Sequence, residues 1–200
     1  MQMNRIVQKI PYVKNKDELR GYEGIAARYY FHEISGLLRE EFRFQNRSRR
    51  PPKDPFNSAL SFGYTLLFYE IMCFIEQRGL SPYIGFLHED KERHPTLVSD
   101  LMEEWRPILI DAITYHFMNK TNTDLEDFMQ TDTGVYLTNP AIHRYLEMYY
   151  DKMLTSTKYL RYDNEKMGYR RALQFQVSKF LEAIQSVNPD VYHAVHARER

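Results

Sequence analysis

The chain has 200 residues, 43% of them apolar, with 27 Lys plus Arg against 27 Asp plus Glu. That is enough for one domain with a real core, and the balanced charge excludes a general electrostatic pull toward nucleic acid, so any such attraction must come from a local patch. The single cysteine, Cys73, excludes an internal disulfide, and a start without a signal-like apolar region, with no apolar run near about 18 residues, reads as a cytoplasmic protein with no membrane partner.

Helical periodicity governs most of the sequence. Between 17 and 42, Leu19, Ile25, Ala26, Tyr29, Tyr30, Ile34, Leu37 and Leu38 recur at spacings that suit one helical face. The stretch Arg47 to Pro55 breaks the pattern, because the adjacent Pro51 and Pro52 cannot sit inside a helix. Asp54 then reads as an N-cap with Pro55 at the first helical position. The helix from 55 to 78 is apolar on several sides, which predicts burial at the domain centre, and Gly79 with Pro82 stops it. Residues 80–95 read as a loop, with Ile84–Leu87 the one strand-like stretch. Helices follow at 96–120, from Asn139-Pro140 to about 160, and at 165–187, with a last turn at Asn188-Pro189. The predicted fold class is all-α, a single multi-helix domain over 1–200.

The helix at 96–120 carries two patterns. Leu97, Leu101, Trp105, Leu109 and Ala112 form a buried stripe, while Asp100, Glu103, Glu104 and Asp111 gather on another face. Like charges at such spacings repel, so a cationic group is expected opposite them. Pro107 lies four residues after Glu103, has no N–H to bond its carbonyl, and predicts a kink at the acids.

Three islands hold residue types that bind hard divalent metals: Glu23 at 21–24, His88 at 85–90, and Asp100 with Glu103 at 99–107. Brought together, two or three carboxylates and an imidazole make a site for Mg²⁺ or Mn²⁺, suited to phosphodiester chemistry. Taken singly, each has a plainer reading. Glu23 is an acid favoured by a helix N-terminus, His88 a hydrogen-bonded loop histidine, and the acids a solvated face. His193 and His196 form at most a loose pair near the tail. Arg43, Arg47, Arg49, Arg50 and Lys53 make either a solvated connector or an arm that tracks phosphates. The 16 tyrosines and 12 phenylalanines build a core and rim, or in part stack on bases. No Glu-x-x-His, His-Glu-x-x-His, phosphate-binding glycine loop or nucleophile elbow occurs.

The order and wording of these blocks resemble the CRISPR adaptation integrases, a family of metal-dependent DNA endonucleases and integrases. The matching words are Gly21-Tyr22-Glu23-Gly24-Ile25-Ala26-Ala27 with Tyr30-Phe31, Arg49-Arg50-Pro51-Pro52-Lys53-Asp54-Pro55-Phe56-Asn57, and Leu60-Ser61-Phe62-Gly63-Tyr64. Gly79-Leu80-Ser81-Pro82, Gly85-Phe86-Leu87-His88 and Asp100-Leu101-Met102-Glu103-Glu104-Trp105-Arg106-Pro107 complete the series, which spans about 20–110.

The resemblance implies that a DNA fragment's 3′-hydroxyl attacks a phosphodiester at the CRISPR repeat, a direct transesterification. It implies Glu23, His88 and Glu103 as ligands of Mg²⁺ or Mn²⁺, Asp100 as a neighbouring acid that orients water or a ligand, and Tyr64 as an active-site tyrosine. Asn57 and Arg106 take supporting roles, with Arg47, Arg49, Arg50 and Lys53 facing DNA. The implied partners are double-stranded and branched DNA (prespacer and repeat), a second copy of the chain, and a second CRISPR adaptation protein. Because Gly-Tyr-Glu-Gly begins at residue 21, the expected chain is the helical catalytic domain without the family's N-terminal β-rich domain. Two alternatives stand beside this one: an inactive helical interaction module of the same fold, and a metallohydrolase acting on small phosphoesters.

Overall fold

The computed structural model describes residues 2–88, 94–157 and 167–194. Glu89, Asp90 and His196, the end of the helix expected to reach 160 and the start of the one expected from 165 lie outside the described residues. Among those residues are helices α1 (Gln2–Lys9), α2 (Lys16–Leu37), α3 (Pro55–Gln77), α4 (Thr96–Met102), α5 (Ala112–Lys120), α6 (Asn139–Leu154) and α7 (Tyr169–Ser186). The all-α class holds.

Local chemistry sets the helix ends. Asn15 caps α2 by accepting from the Glu18 N–H at 2.9 Å, and Asp54 caps α3 by accepting from the Asn57 N–H at 2.8 Å. Helix α2 stops at Leu37, short of the predicted 42. There the buried Ser35 Oγ donates to the Phe44 carbonyl at 2.6 Å and accepts from the Phe44 N–H at 3.0 Å. The chain therefore folds back through a 3₁₀ turn at Glu40–Phe42, which delivers Phe42 to the core at 0% exposure.

Helix α3 is the central element and packs against α4, α5, α7 and the second strand of a small hairpin. Its 18-residue apolar window, of mean hydropathy 1.5, corrects the expectation that no such run exists. By length and composition it is long enough to cross a membrane, yet Phe56, Ala59, Leu60, Leu67, Ile71 and Ile75 on it are buried within this domain. Around it lie Trp105, Tyr145, Phe117 and Phe42, each at most 1% exposed, and burial of one such side chain contributes about 2–3 kcal/mol.

The predicted kink at Pro107 is present. Helix α4 ends at Met102, and Arg106–Asp111 forms a π-helical segment before α5 resumes. This wider turn rephases the buried stripe: Leu97, Leu101, Trp105 and Leu109 are buried as expected, but Ala112 is exposed and Ile113, at 4%, takes its place.

Two antiparallel hairpins correct the strand assignment. Strand β1 (Phe128–Gln130) pairs with β2 (Val135–Leu137), and β3 (Ser156–Thr157) with β4 (Met167–Gly168). Strands of two or three residues are too short to print an alternation in the sequence. Ile84–Leu87 forms no strand; its amides are spent on a carboxylate, as described next.

Candidate active site

Asp100 comes from α4 and the loop of Gly85 to His88 wraps around it. Its Oδ2 accepts from the N–H of Phe86 at 2.5 Å and of Leu87 at 3.0 Å, and its Oδ1 from the N–H of His88 at 3.0 Å. The wrap needs a glycine at 85, since a Cβ there would stand 2.7 Å from Asp100 Oδ2 and 2.8 Å from Thr96 Cβ. Thr96 Oγ1 tightens the loop by accepting from the Gly85 N–H at 3.0 Å and donating to the Tyr83 carbonyl at 2.7 Å. Arg20, on α2, donates to the Leu87 carbonyl at 2.9 Å.

Burial pushes the Asp100 carboxyl upward, but the amides of Leu87 and Phe86 and the ring and amide of His88 outweigh it and hold the group below the ordinary carboxylate value. An ionised Asp100 can only accept. The His88 Nδ1, 2.5 Å from Asp100 Oδ1, therefore carries the ring proton, and Nε2 keeps its lone pair. That nitrogen faces Glu103 Oε1 at 3.9 Å.

Glu103 follows α4 and bonds the Arg106 guanidinium. Burial raises its carboxyl above the ordinary value; Arg106, His88 and Arg49 pull it back, while Glu23 pushes it further up. Glu23, exposed on α2, is thus close enough for its charge to act on Glu103. Asp100, Glu103, Glu104 and Asp111 do not share one face, which corrects that expectation: Glu104 turns to Tyr192 and to Gln176 Nε2 at 2.8 Å.

Tyr64 lies between two cations, with the Arg47 and Arg106 guanidinium groups 5.5 Å and 5.1 Å from its ring centroid. Its hydroxyl donates to Asp111 Oδ1 at 2.7 Å, and the Tyr30 hydroxyl donates to Asp111 Oδ2 at 2.7 Å. Burial, and then the Asp111 charge, push both phenols well above their ordinary value, so each keeps its proton. Burial likewise raises the Asp111 carboxyl, against the pull of both phenols and of Arg106 and Arg47. Tyr64 is therefore placed with its hydroxyl committed to Asp111.

The basic loop divides into supports and exposed cations. Asn57, expected to face DNA, is 0% exposed. Its Oδ1 accepts from Arg47 at 2.7 Å and from the Ser48 N–H at 3.2 Å, and its Nδ2 donates to the Asn46 carbonyl at 2.9 Å. This corrects the assignment, because a side chain so enclosed supports the loop and reaches no ligand. Arg47 also turns inward, to Ser61 Oγ at 3.1 Å, and burial lowers its pKa to about 10. Arg49, Arg50 and Lys53 are exposed. Hairpin β1–β2 braces this loop: the Val135 N–H donates to the Pro52 carbonyl at 2.9 Å, and a Cβ on Gly134 would stand 2.5 Å from that oxygen.

The donors suit a hard divalent cation, with two carboxylates and an imidazole whose other nitrogen is fixed by a carboxylate. Two donor atoms on one cation stand no further apart than two coordination bonds of about 2.1 Å each, and 3.9 Å between His88 and Glu103 meets that limit. Among the described residues no three His, Cys, Asp or Glu side chains form a closed group; Glu23 stands outside the pair. Sequence reasoning missed Arg20 and Tyr30 as parts of the site, and gave Asp111 a place on an acidic face. The one available signal was the spacing of Tyr30 two helical turns beyond Glu23.

Residues 1–151 match the family described as CRISPR associated protein Cas1. The chain belongs to this family. It is 38% identical over 174 residues to CRISPR-associated endonuclease Cas1 of Mycobacterium tuberculosis (strain CDC 1551 / Oshkosh), covering 86% of this chain and 52% of the relative. It is 44% identical over 133 residues to CRISPR-associated endonuclease Cas1 3 of Thermus thermophilus, covering 66% of this chain and 40% of that one. The chain thus spans about half the length of the curated relatives it matches, or less. A solved CAS1 protein from Thermotoga maritima superposes with a TM-score of 0.82 at 26% identity, over 99% of this chain and 60% of the other. A chain of a Cas6-RT-Cas1–Cas2 complex superposes with a TM-score of 0.86 at 25% identity, over 98% of this chain and 21% of that one.

Proposed function

We propose that this chain is a metal-dependent DNA endonuclease and integrase domain of CRISPR adaptation, joining prespacer 3′-hydroxyl ends to the CRISPR repeat by transesterification. The observation that carries this reading is the His88 ring, fixed through Nδ1 by Asp100 and presenting Nε2 to Glu103 at 3.9 Å. Glu23, His88 and Glu103 would hold Mg²⁺ or Mn²⁺. Such a cation, when bound, polarises the target phosphodiester and offsets charge on the attacking and leaving oxygens. Asp100 keeps the imidazole proton on Nδ1 and the loop in place. Arg106 neutralises Glu103 within a partly dry pocket. Exposed Arg49, Arg50 and Lys53 follow the phosphate backbone, while Arg47 holds their loop.

Double-stranded and branched DNA are the proposed substrates, in the cytoplasm. A second copy of the chain and a second adaptation protein are the proposed partners, and the Cas1–Cas2 complexes among its structural relatives support the latter. The alternative is an inactive helical module of the same fold. It is favoured by Glu103 being bonded to Arg106 and by the lack of a closed three-ligand group among the described residues.

The deciding experiment is Mn²⁺-dependent joining and nicking of branched, repeat-bearing DNA by the purified chain. Glu23→Ala, His88→Ala and Glu103→Ala are each expected to lower the rate about 100-fold or more, with the far-ultraviolet circular dichroism unchanged. Undiminished rates in one variant remove that residue from the site. A folded wild-type chain with no metal-dependent cleavage establishes the inactive module, and cleavage of a small chromogenic phosphoester without competition from DNA points to a small-substrate hydrolase.

A further inference from the structure

Glu23 and Glu103 lie on separate elements, and nothing in the sequence joins them. The structure does, through a carboxylate that belongs to neither. Asp111 is 5% exposed and accepts one phenolic hydrogen bond on each oxygen, from Tyr30 of α2 and Tyr64 of α3, both at 2.7 Å. Tyr30 falls two helical turns beyond Glu23 within α2, so the two share a helical face. Asp111 closes the π-helical segment that Arg106 opens, and Arg106 is bonded to Glu103. The path from Glu23 to Glu103 therefore runs along one helix, across a single hydrogen bond, and back along one turn.

We propose that Asp111 is a positioning residue that sets the separation of Glu23 and Glu103, with the Tyr30 hydroxyl as the link it acts through. The inference rests on the metal reading above. The two acids carry like charges, and Glu23 raises the proton affinity of Glu103, so they repel when no cation lies between them. The Tyr30–Asp111 bond opposes that repulsion, and Tyr64 anchors the same carboxylate to the central helix. The arrangement holds the two acids at a partly open spacing that a cation completes by drawing in the exposed Glu23.

Tyr30→Phe removes the link and keeps the ring. The matched control is Tyr192→Phe, which removes a phenol–carboxylate bond to Glu104 elsewhere in the fold. Two readouts are compared. In EDTA, amide hydrogen exchange over 20–30 is expected to rise about tenfold in Tyr30→Phe and to stay at the wild-type rate in Tyr192→Phe. By isothermal titration with Mn²⁺ alone, the dissociation constant is expected to rise about tenfold in Tyr30→Phe and Asp111→Asn and not in Tyr192→Phe. Wild-type Mn²⁺ affinity in Tyr30→Phe overturns the proposal, as does an equal loss in Tyr30→Phe and Tyr192→Phe, which marks a generic stability effect. A wild-type chain that binds no Mn²⁺ overturns the metal reading and this inference with it. The exchange result then identifies which failed, since a tenfold rise confined to Tyr30→Phe leaves the mechanical link standing without a metal to serve.

Discussion

Asp100 and Asp111 lie on the same stretch of chain and each is 5% exposed, yet one is held below and the other above its ordinary proton affinity. Both pay the same toll for leaving water, so the difference lies in what surrounds them. Asp100 receives three backbone N–H groups and an imidazole. Asp111 receives two phenols, with Arg106 and Arg47 acting only through space. Donor number therefore decides which buried acid stays ionised. Asp100 shapes a loop and orients a ring, whereas Asp111 ties helices together.

Breaking the Asp100 side of this comparison has the largest expected effect. Asp100→Ala leaves three amides of the 86–88 loop without an acceptor and frees the His88 ring. The expected cost is about 3–5 kcal/mol in urea unfolding. Asp111→Ala strands two hydroxyls that can turn elsewhere, and about 2 kcal/mol is expected. Equal costs would erase the distinction.

Acidity sharpens it, because the two acids respond with opposite sign. Asp100 binds its proton more weakly in the folded chain, so its stabilisation is present above the ordinary value of 3.8 and is lost as pH falls below that. Asp111 binds its proton more tightly in the folded chain, so its stabilisation is full below 3.8 and is lost as pH rises through the raised folded value. Between about pH 7 and about pH 5, wild type is expected to gain stability on acidification relative to Asp111→Asn. Urea midpoints across that range check it, and parallel curves count against the raised affinity.

The smallest effects concern the basic loop, where the same contrast between enclosed and open groups recurs. Lys53→Ala is expected to change stability by less than about 0.5 kcal/mol and to lower the salt slope of DNA binding by about 1. Arg47→Ala, which loses Asn57 and Ser61 as partners, is expected to act mainly on stability, by about 1–3 kcal/mol.

Much of the fold was legible because long helices print their period. The Pro107 kink, the Asp54 cap and the central α3 follow from residue types alone. The hairpins were hidden, since β1 and β2 hold three residues each. Within the site, Glu23, His88 and Glu103 were readable as chemistry in a recognisable order. The roles of Asp111, Tyr30 and Arg20 were not, because each acts on a partner distant in sequence that only the tertiary fold brings within reach. Asn57 was misassigned for a related reason: a polar residue in a basic loop looks exposed until the loop is seen to fold over it.

The π-helical segment at Arg106–Asp111 makes residue count, more than residue type, the quantity that matters there. One residue fewer would let the backbone run as an ordinary α-helix, turning everything beyond it by about 100°. Asp111 would then swing away from both tyrosines while every side chain in the segment remained chemically intact. A family member that differs here by a single insertion or deletion should therefore be suspected of a different internal architecture, even where its metal-binding words read the same.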